Sequence, residues 1–277
     1  MDEATIGTEN RQPAAAPPAR RAGGRARGRV RVEPSPKRVR ALVDGVAVAD
    51  TRSALLVWEK PYYPTYYVPR ADVRAELADT GRVERSPSRG DGHVLDVTVA
   101  GRTVPDAALA YPDSPMPELR ELVRLDWESM DEWLEEDEPV YVHPRDPYSR
   151  VDVLASSRHV RIELDGVVLA ESTQPRVLFE TGLPPRYYLP MGDVRLELLR
   201  RTDSVSRCPY KGVADWWSVV LPAADGGVPR EHEDLAWCYR SPLPESQKIA
   251  GLIAFYDEKV DVFLDGELQE RPVTPFS

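Results

Sequence analysis

Cysteine is nearly absent: Cys208 and Cys238 are the only two among 277 residues. Two thiols are too few for a disulfide-stapled scaffold and suit a reducing cytoplasm, with a single bridge between them left open. Histidine is sparse too, at four. No apolar run approaches the roughly 18–20 residues that a spanning helix needs, so no membrane is expected. The Arg-, Ala- and Pro-rich start holds no apolar core of the kind a secretory signal requires, and a cytoplasmic location is expected. A phosphate-cradling glycine loop is missing too, because Gly23-Gly24 does not stand between a strand and a helix.

What the chain does have is charge, unevenly spread. The net charge is −10, yet residues 11–40 carry nine Arg and Lys37 against the single acid Glu33, which leaves about −19 for the rest. Such an asymmetry marks a basic tail, read as residues 1–33, in front of an acidic folded part that repels nucleic acid. The acidic stretch Asp126–Glu138 reads as solvated surface.

The rest is organised by an internal repeat. Residues 38–77 and 159–198 align without a gap at an offset of 121, with 16 identities in 40, far beyond chance. With one inserted residue, Ser86-Pro87-Ser88-Arg89-Gly90 falls opposite Cys208-Pro209-Tyr210-Lys211-Gly212, and Met130–Leu134 falls opposite Val260–Leu264. The division that follows is a first copy over 34–141, a Pro-rich connector over 142–157 and a second copy over 158–277. Each copy reads as strands. Val39–Leu42 and Val160–Leu164 alternate apolar with polar residues and run into Asp44-Gly45 and Asp165-Gly166, a strong hairpin signal. Tyr66-Tyr67-Val68 and Tyr187-Tyr188-Leu189 suit a pleated surface. Asp72–Leu77 and Asp193–Leu198 fit a helical turn or a strand equally. Pro209 and Gly212 punctuate a tight hairpin loop. One short helix per copy is expected over Pro117–Leu125 and Glu245–Ala254, each opened by an early Pro and Glu. The fold class is mainly β.

The strings VDGVAVADT, YYPTYYVPRADV, RCPYKG, LAWCY and HPRDPYSRVD together resemble the family known as domain of unknown function 427, over nearly all of the chain beyond its first 30 or so residues. The resemblance implies two Mss4-like, or β-tent, domains in tandem, and no established reaction. A nucleotidyltransferase label attached to that family would require a Gly-Ser followed by paired Asp residues to hold its metals, and the sequence has none. Other β-tent proteins hold zinc through two Cys-x-x-Cys pairs, which are missing here. Cys208, His232 and Cys238 lack a fourth ligand at ordinary spacing. Neither metal nor cofactor is expected.

The candidate site residues lie in the second copy. Cys208 and Lys211, three apart across a tight loop, can approach each other, so that an ammonium stabilises a thiolate or Lys211 clamps an acidic group; the alternative is a buried thiol beside a solvated lysine. The first copy has Ser86 and Arg89 at those places and, with Leu95-Asp96 nearby, lacks Trp216-Trp217. A fold that accepts Ser for Cys does not need the Cys for packing, so a single site is expected in the second copy. Tyr187, Tyr188, Trp217 and Trp237 can line an aromatic pocket, with core packing as the alternative. Glu180 and Tyr239 are candidates for moving protons. Arg195 with Asp193 recurs as Arg74 with Asp72, which fits a structural pair better than catalysis.

Three readings follow: a small-molecule-binding protein with an aromatic pocket in the second copy; an enzyme using Cys208 or Lys211; and an interaction scaffold whose basic tail recruits a polyanion.

Overall fold

The computed structural model describes residues 30–223 and 227–274; most of the stretch read as a basic tail lies outside them. The first copy contains β1 (Arg31–Pro34), β2 (Val39–Val43), β3 (Val46–Thr51), β4 (Leu55–Trp58), β5 (Thr65–Pro69), β6 (Glu76–Ser86), β7 (Gly90–Val99), β8 (Arg102–Ala110), β9 (Leu122–Leu125), β10 (Glu132–Glu135) and β11 (Glu138–Pro139). The second repeats them as β12 (Val151–Ala155), β13 (Val160–Leu164), β14 (Val167–Ser172), β15 (Arg176–Glu180), β16 (Arg186–Tyr188), β17 (Leu199–Cys208), β18 (Gly212–Leu221), β19 (Arg230–Cys238), β20 (Ile253–Phe255), β21 (Asp261–Leu264) and β22 (Glu267–Leu268). Every pairing is antiparallel.

Each copy stacks a large sheet on a small one. In the first copy the large sheet runs β1-β4-β5-β9-β8-β7-β6 and the small one β11-β10-β2-β3. In the second, β12-β15-β16 and β20-β19-β18-β17 reproduce that order, joined by the bridge between Leu189 and Ile253, whose backbones exchange hydrogen bonds of 2.8 and 2.9 Å. The hairpin readings are borne out: Asp44 and Gly45 (φ 49° and 73°) and Asp165 and Gly166 (φ 50° and 77°) occupy the two left-handed positions of a two-residue turn. The loop punctuation holds as well, since Cys208 pairs with Gly212 at φ 97° and Ser86 with Gly90 at φ 88°.

Alternation decides which face each residue covers. Along β2, Val39, Ala41 and Val43 are buried and pack with Leu56, Tyr66 and Val97 of the large sheet and Trp133 of the small one. Val160, Ile162, Leu189, Val219, Ala236 and Cys238 form the matching inner core of the second copy. Truncating a fully buried member such as Ile162 to Ala costs about 2–5 kcal/mol. The large sheet has a second, outer apolar face: Val57, Tyr67, Val94, Leu109 and Tyr111 in the first copy, and Leu178, Tyr188, Ala214, Trp237 and Tyr239 in the second.

Several expectations are corrected. The helices expected over Pro117–Leu125 and Glu245–Ala254 shrink to 3-10 segments at Pro117–Leu119 and Pro244–Ile249. Leu122–Leu125 and Ile253–Phe255 are strands, because the pairing offered by neighbouring strands outweighs local propensity. No α-helix occurs among the described residues, and none of their helices is long and apolar enough to cross a membrane. The ambiguous segments mix both readings: Arg70–Asp72 is a 3-10 turn and Glu76 opens β6, whereas Met191–Asp193 and Leu196–Leu198 are both 3-10 turns. The fold begins earlier in both copies than the repeat boundaries suggested. Arg31–Pro34 and Val151–Ala155 pair with β4 and β15, so Arg31, Lys37, Arg38 and Arg40 belong to the first copy, where they pair with Glu33, Glu135, Asp50 and Asp137. Trp133 lies opposite Ala41 as Val262 lies opposite Ile162, one residue off the alignment of Trp133 with Phe263. Within the acidic stretch Glu135 is buried, at 5% exposure.

Candidate binding face of the second copy

The hairpin β17–β18 presents Lys211 to the end of β15, where its ammonium pairs with the Glu180 carboxylate; the side chains are 14% and 10% exposed. Burial works against the Lys211 charge, but Cys208, Glu180 and Tyr188 outweigh it and push its pKa up to about 12. The uncharged amine is then only about one part in 10⁵ at neutral pH, a poor starting point for a Schiff base. Tyr188 and Tyr239 close the cluster. Burial pushes Tyr188 up to about 12, and burial with the neighbouring Tyr188 raises Tyr239 further. Both phenols stay protonated. Tyr188 accepts a 3.2 Å hydrogen bond from Trp237 Nε1. Cys208, half-buried, faces this cluster, while Cys238 sits in the inner core beneath the sheet with its thiol raised by burial. The two sulfurs are on opposite faces, both are free, and they share neither a disulfide nor a ligand set. Among the described residues no group of three His, Cys, Asp or Glu is placed to hold a metal ion.

Strand register now gives an exact comparison between the copies. Arg89 Nη1 lies 2.9 Å from Glu59 Oε1, Arg124 Nη1 lies 3.1 Å from Glu59 Oε2, and Tyr67 donates to Glu59 at 2.5 Å. The cation–carboxylate pair under the hairpin loop is therefore common to both copies, with Lys211 exchanged for Arg89. It belongs to the fold as much as to any site.

The outer face beside it differs far more. Asp215 pairs with Cys238 as His93 pairs with Ala110, so Trp216 and Trp237 replace Val94 and Leu109; the Leu95-Asp96 alignment was one residue off. By the same register Ala254 and Tyr256 replace Arg124 and Asp126. Trp216, Trp237 and Tyr256 pack together at centroid distances of 5.1–5.5 Å. Trp216 and Tyr256 remain half-buried. At their edge Arg186, where the first copy has Thr65, lies over the Trp237 ring at 5.3 Å. It is held in a fork by Glu258 at 2.9 and 3.0 Å and by the Phe255 carbonyl at 3.1 Å. Asp257 lies 3.4 Å from the same guanidinium, and burial, helped by Glu258, pushes its carboxyl up to about 7.

The structure thus brings together Cys208, Lys211, Glu180, Tyr188, Tyr239 and Trp237 and separates the other candidates from them. Trp217 and Tyr187 point into the opposite face and pack on the inner core. Tyr187 and Asp257 line a separate cavity of about 150 Å³ there. Arg195 is exposed and pairs with Glu197 at 2.8 Å. Its expected partner Asp193 instead accepts from Ser172 at 2.6 Å, just as Asp72 accepts from Thr51 at 2.5 Å. Sequence reasoning passed over Arg186, Tyr256, Asp257 and Glu258, and took Trp217 from a Trp pair of which Trp216 shares the face of Trp237. Only register tells the two apart, because neighbouring residues on a strand face opposite ways.

The chain belongs to the family described as Domain of unknown function (DUF427), which matches residues 31–136 and 152–266, one segment per copy. No curated protein is similar enough to the chain to match it.

Proposed function

We propose that the protein binds a small molecule on the outer face of its second copy, with the ligand's apolar or planar body against Trp216 and Tyr256 and its polar groups toward Arg186 and Glu258 at one end and the Lys211–Glu180 pair at the other. One observation carries this reading: at three register-matched positions a copy whose scaffold tolerates Val94, Leu109 and Asp126 has Trp216, Trp237 and Tyr256 instead. Packing alone does not require large rings there, since the first copy folds without them, and half-exposed aromatics framed by a few fixed polar groups are the ordinary material of a ligand site. With Ala254 in place of Arg124, Glu180 has one cationic partner among the described residues where Glu59 has two. The raised pKa values of Lys211, Tyr188 and Tyr239 favour recognition over nucleophilic or general-base catalysis by these groups, because each keeps its proton at neutral pH. The stack of two antiparallel sheets supports the β-tent likeness that the sequence implied.

The test is native mass spectrometry of the protein purified from its own cells, beside Trp216→Val and Trp237→Leu, which install the first copy's residues. A copurifying molecule that both variants lose bears the proposal out. Retention in both places the molecule elsewhere and overturns it.

A further inference from the structure

Between β11 and β12 the chain makes three bridges of one design. The His143 ring stacks on Tyr63 of the first copy at 4.1 Å and 8°, and lies edge-on to Tyr210 of the second at 6.2 Å. The Arg145 backbone N–H donates to Glu135 of the first copy at 3.0 Å, and its Nε donates to the Pro209 carbonyl at 3.1 Å. Asp146 Oδ2 accepts from Trp58 Nε1 of the first copy at 2.9 Å, and its N–H donates to the Tyr210 hydroxyl at 2.9 Å. Each of these residues thus holds the first copy on one side and the loop Cys208–Gly212 on the other.

The anchors are unusual in the fold. Glu135 is a buried carboxylate that also accepts from Tyr66 at 3.0 Å and pairs with Lys37; by register the second copy has Leu264 at that place. Tyr210, at the loop tip, corresponds to Ser88 in the first copy, where no ring is present to grip. Both ends of the brace are therefore features of one copy only. A buried carboxylate is costly unless it is fully bonded, so an apolar residue such as Leu would serve packing better. What Glu135 adds is direction, because it fixes the Arg145 backbone and hence the guanidinium that reaches Pro209.

We propose that the first copy, through His143, Arg145 and Asp146, is a brace that holds the Cys208–Gly212 loop in place, so that Lys211 stays registered over Glu180 and the second copy's binding face is complete only in the tandem chain. The three connector residues are positioning residues; none of them belongs to the aromatic face. What the braced face binds rests on the ligand reading above, but the brace itself can be tested without any ligand.

The assay is the alkylation rate of Cys208 in the full chain, with Cys238, in the inner core, as internal control. His143→Ala and Arg145→Ala are each expected to speed Cys208 alkylation about tenfold, the equivalent of about 1.4 kcal/mol for one lost loop contact, while Cys238 stays unlabelled. His143→Phe, which keeps a ring for Tyr63 and Tyr210, is expected to restore the wild-type rate. If a variant loosens the whole fold, both thiols label together, and Tyr210→Phe then decides: it removes one oxygen, orphans the Asp146 N–H and is expected to accelerate Cys208 alone. Rates within twofold of wild type in the His143→Ala/Arg145→Ala double variant and in Tyr210→Phe overturn the brace. A changed labelling rate with no copurifying molecule in any form would leave the brace standing and remove the ligand reading.

Discussion

Replacing Lys211 by Met tests the central ion pair most directly. The substitution roughly keeps the length of the side chain and deletes the charge, leaving the Glu180 carboxylate, 10% exposed, without its partner. Two magnitudes bear on the result. The Lys211 pKa rises from 10.5 to about 12 on folding, and at 1.36 kcal/mol per unit the ammonium contributes about 2 kcal/mol net of its own burial cost. Deletion costs more, about 3–5 kcal/mol, because an uncompensated buried charge is left behind. The double variant Lys211→Met/Glu180→Leu is expected to recover most of that loss, since replacing both partners of a buried pair with apolar groups is often neutral. A urea titration followed by hydrogen exchange at β17 and β18 reads the transition of the second copy apart from that of the first. The alkaline limb supplies a second check. A folded-state pKa above the unfolded value gives stability that is complete below about pH 10 and disappears as pH rises through 12, so the gap between wild type and Lys211→Met is expected to narrow over that window. A single-variant loss under 1 kcal/mol, or a double variant no better than the single, would refute the argument that a buried pair holds the loop to β15.

Three further outcomes are expected. Lys211→Arg should cost less than about 1 kcal/mol in the same titration, because Arg89 occupies the equivalent place in the first copy and Ala254 leaves room where Arg124 stands there. Asp257→Asn should flatten the pH dependence of stability between about pH 4 and 7: burial pushes the Asp257 carboxyl from its ordinary 3.8 up to about 7, so its contribution is complete below about pH 4 and up to about 4 kcal/mol is lost relative to the variant as pH rises through 7, measured by chemical denaturation at stepped pH. Gly45→Ala should destabilise the first hairpin by about 1–2 kcal/mol, seen as a lower thermal midpoint, because φ 73° places a Cβ in the left-handed region although no neighbouring atom lies within 4 Å of it.

The repeat, the β class, the Asp-Gly hairpins and the loop from Cys208 to Gly212 were all legible in the residues, because each is a local matter: alternation has a period of two, and positive φ demands Gly or Asp at a particular place. The offset of 121 even extended, unread, to β1 and β12, whose short runs hold too few residues to stand out from an Arg-rich stretch and a Pro-rich connector. The helices failed for the opposite reason. Pro and Glu signalled a start correctly at Pro117 and Pro244, but where each helix ended depended on partner strands far along the chain.

The outer face of the second copy shows the same division. That the second copy differs from the first at Cys208, Lys211 and the tryptophans is written in the sequence. Which differences count is not, since Lys211 turns out to keep the role of Arg89, and Trp216 rather than Trp217 joins Trp237. A one-residue change of register transfers a side chain to the other face, and register is set by long-range pairing between β18 and β19. Arg186, Asp257 and Glu258 meet only because β16 lies beside β20 in the sheet, and Glu135 reaches Arg145 only because the connector folds back onto the first copy. The sequence by itself determined the elements, their repetition and the chemical groups available; the tertiary structure alone decided which of those groups share a face, because that choice depends on pairings between residues tens of positions apart.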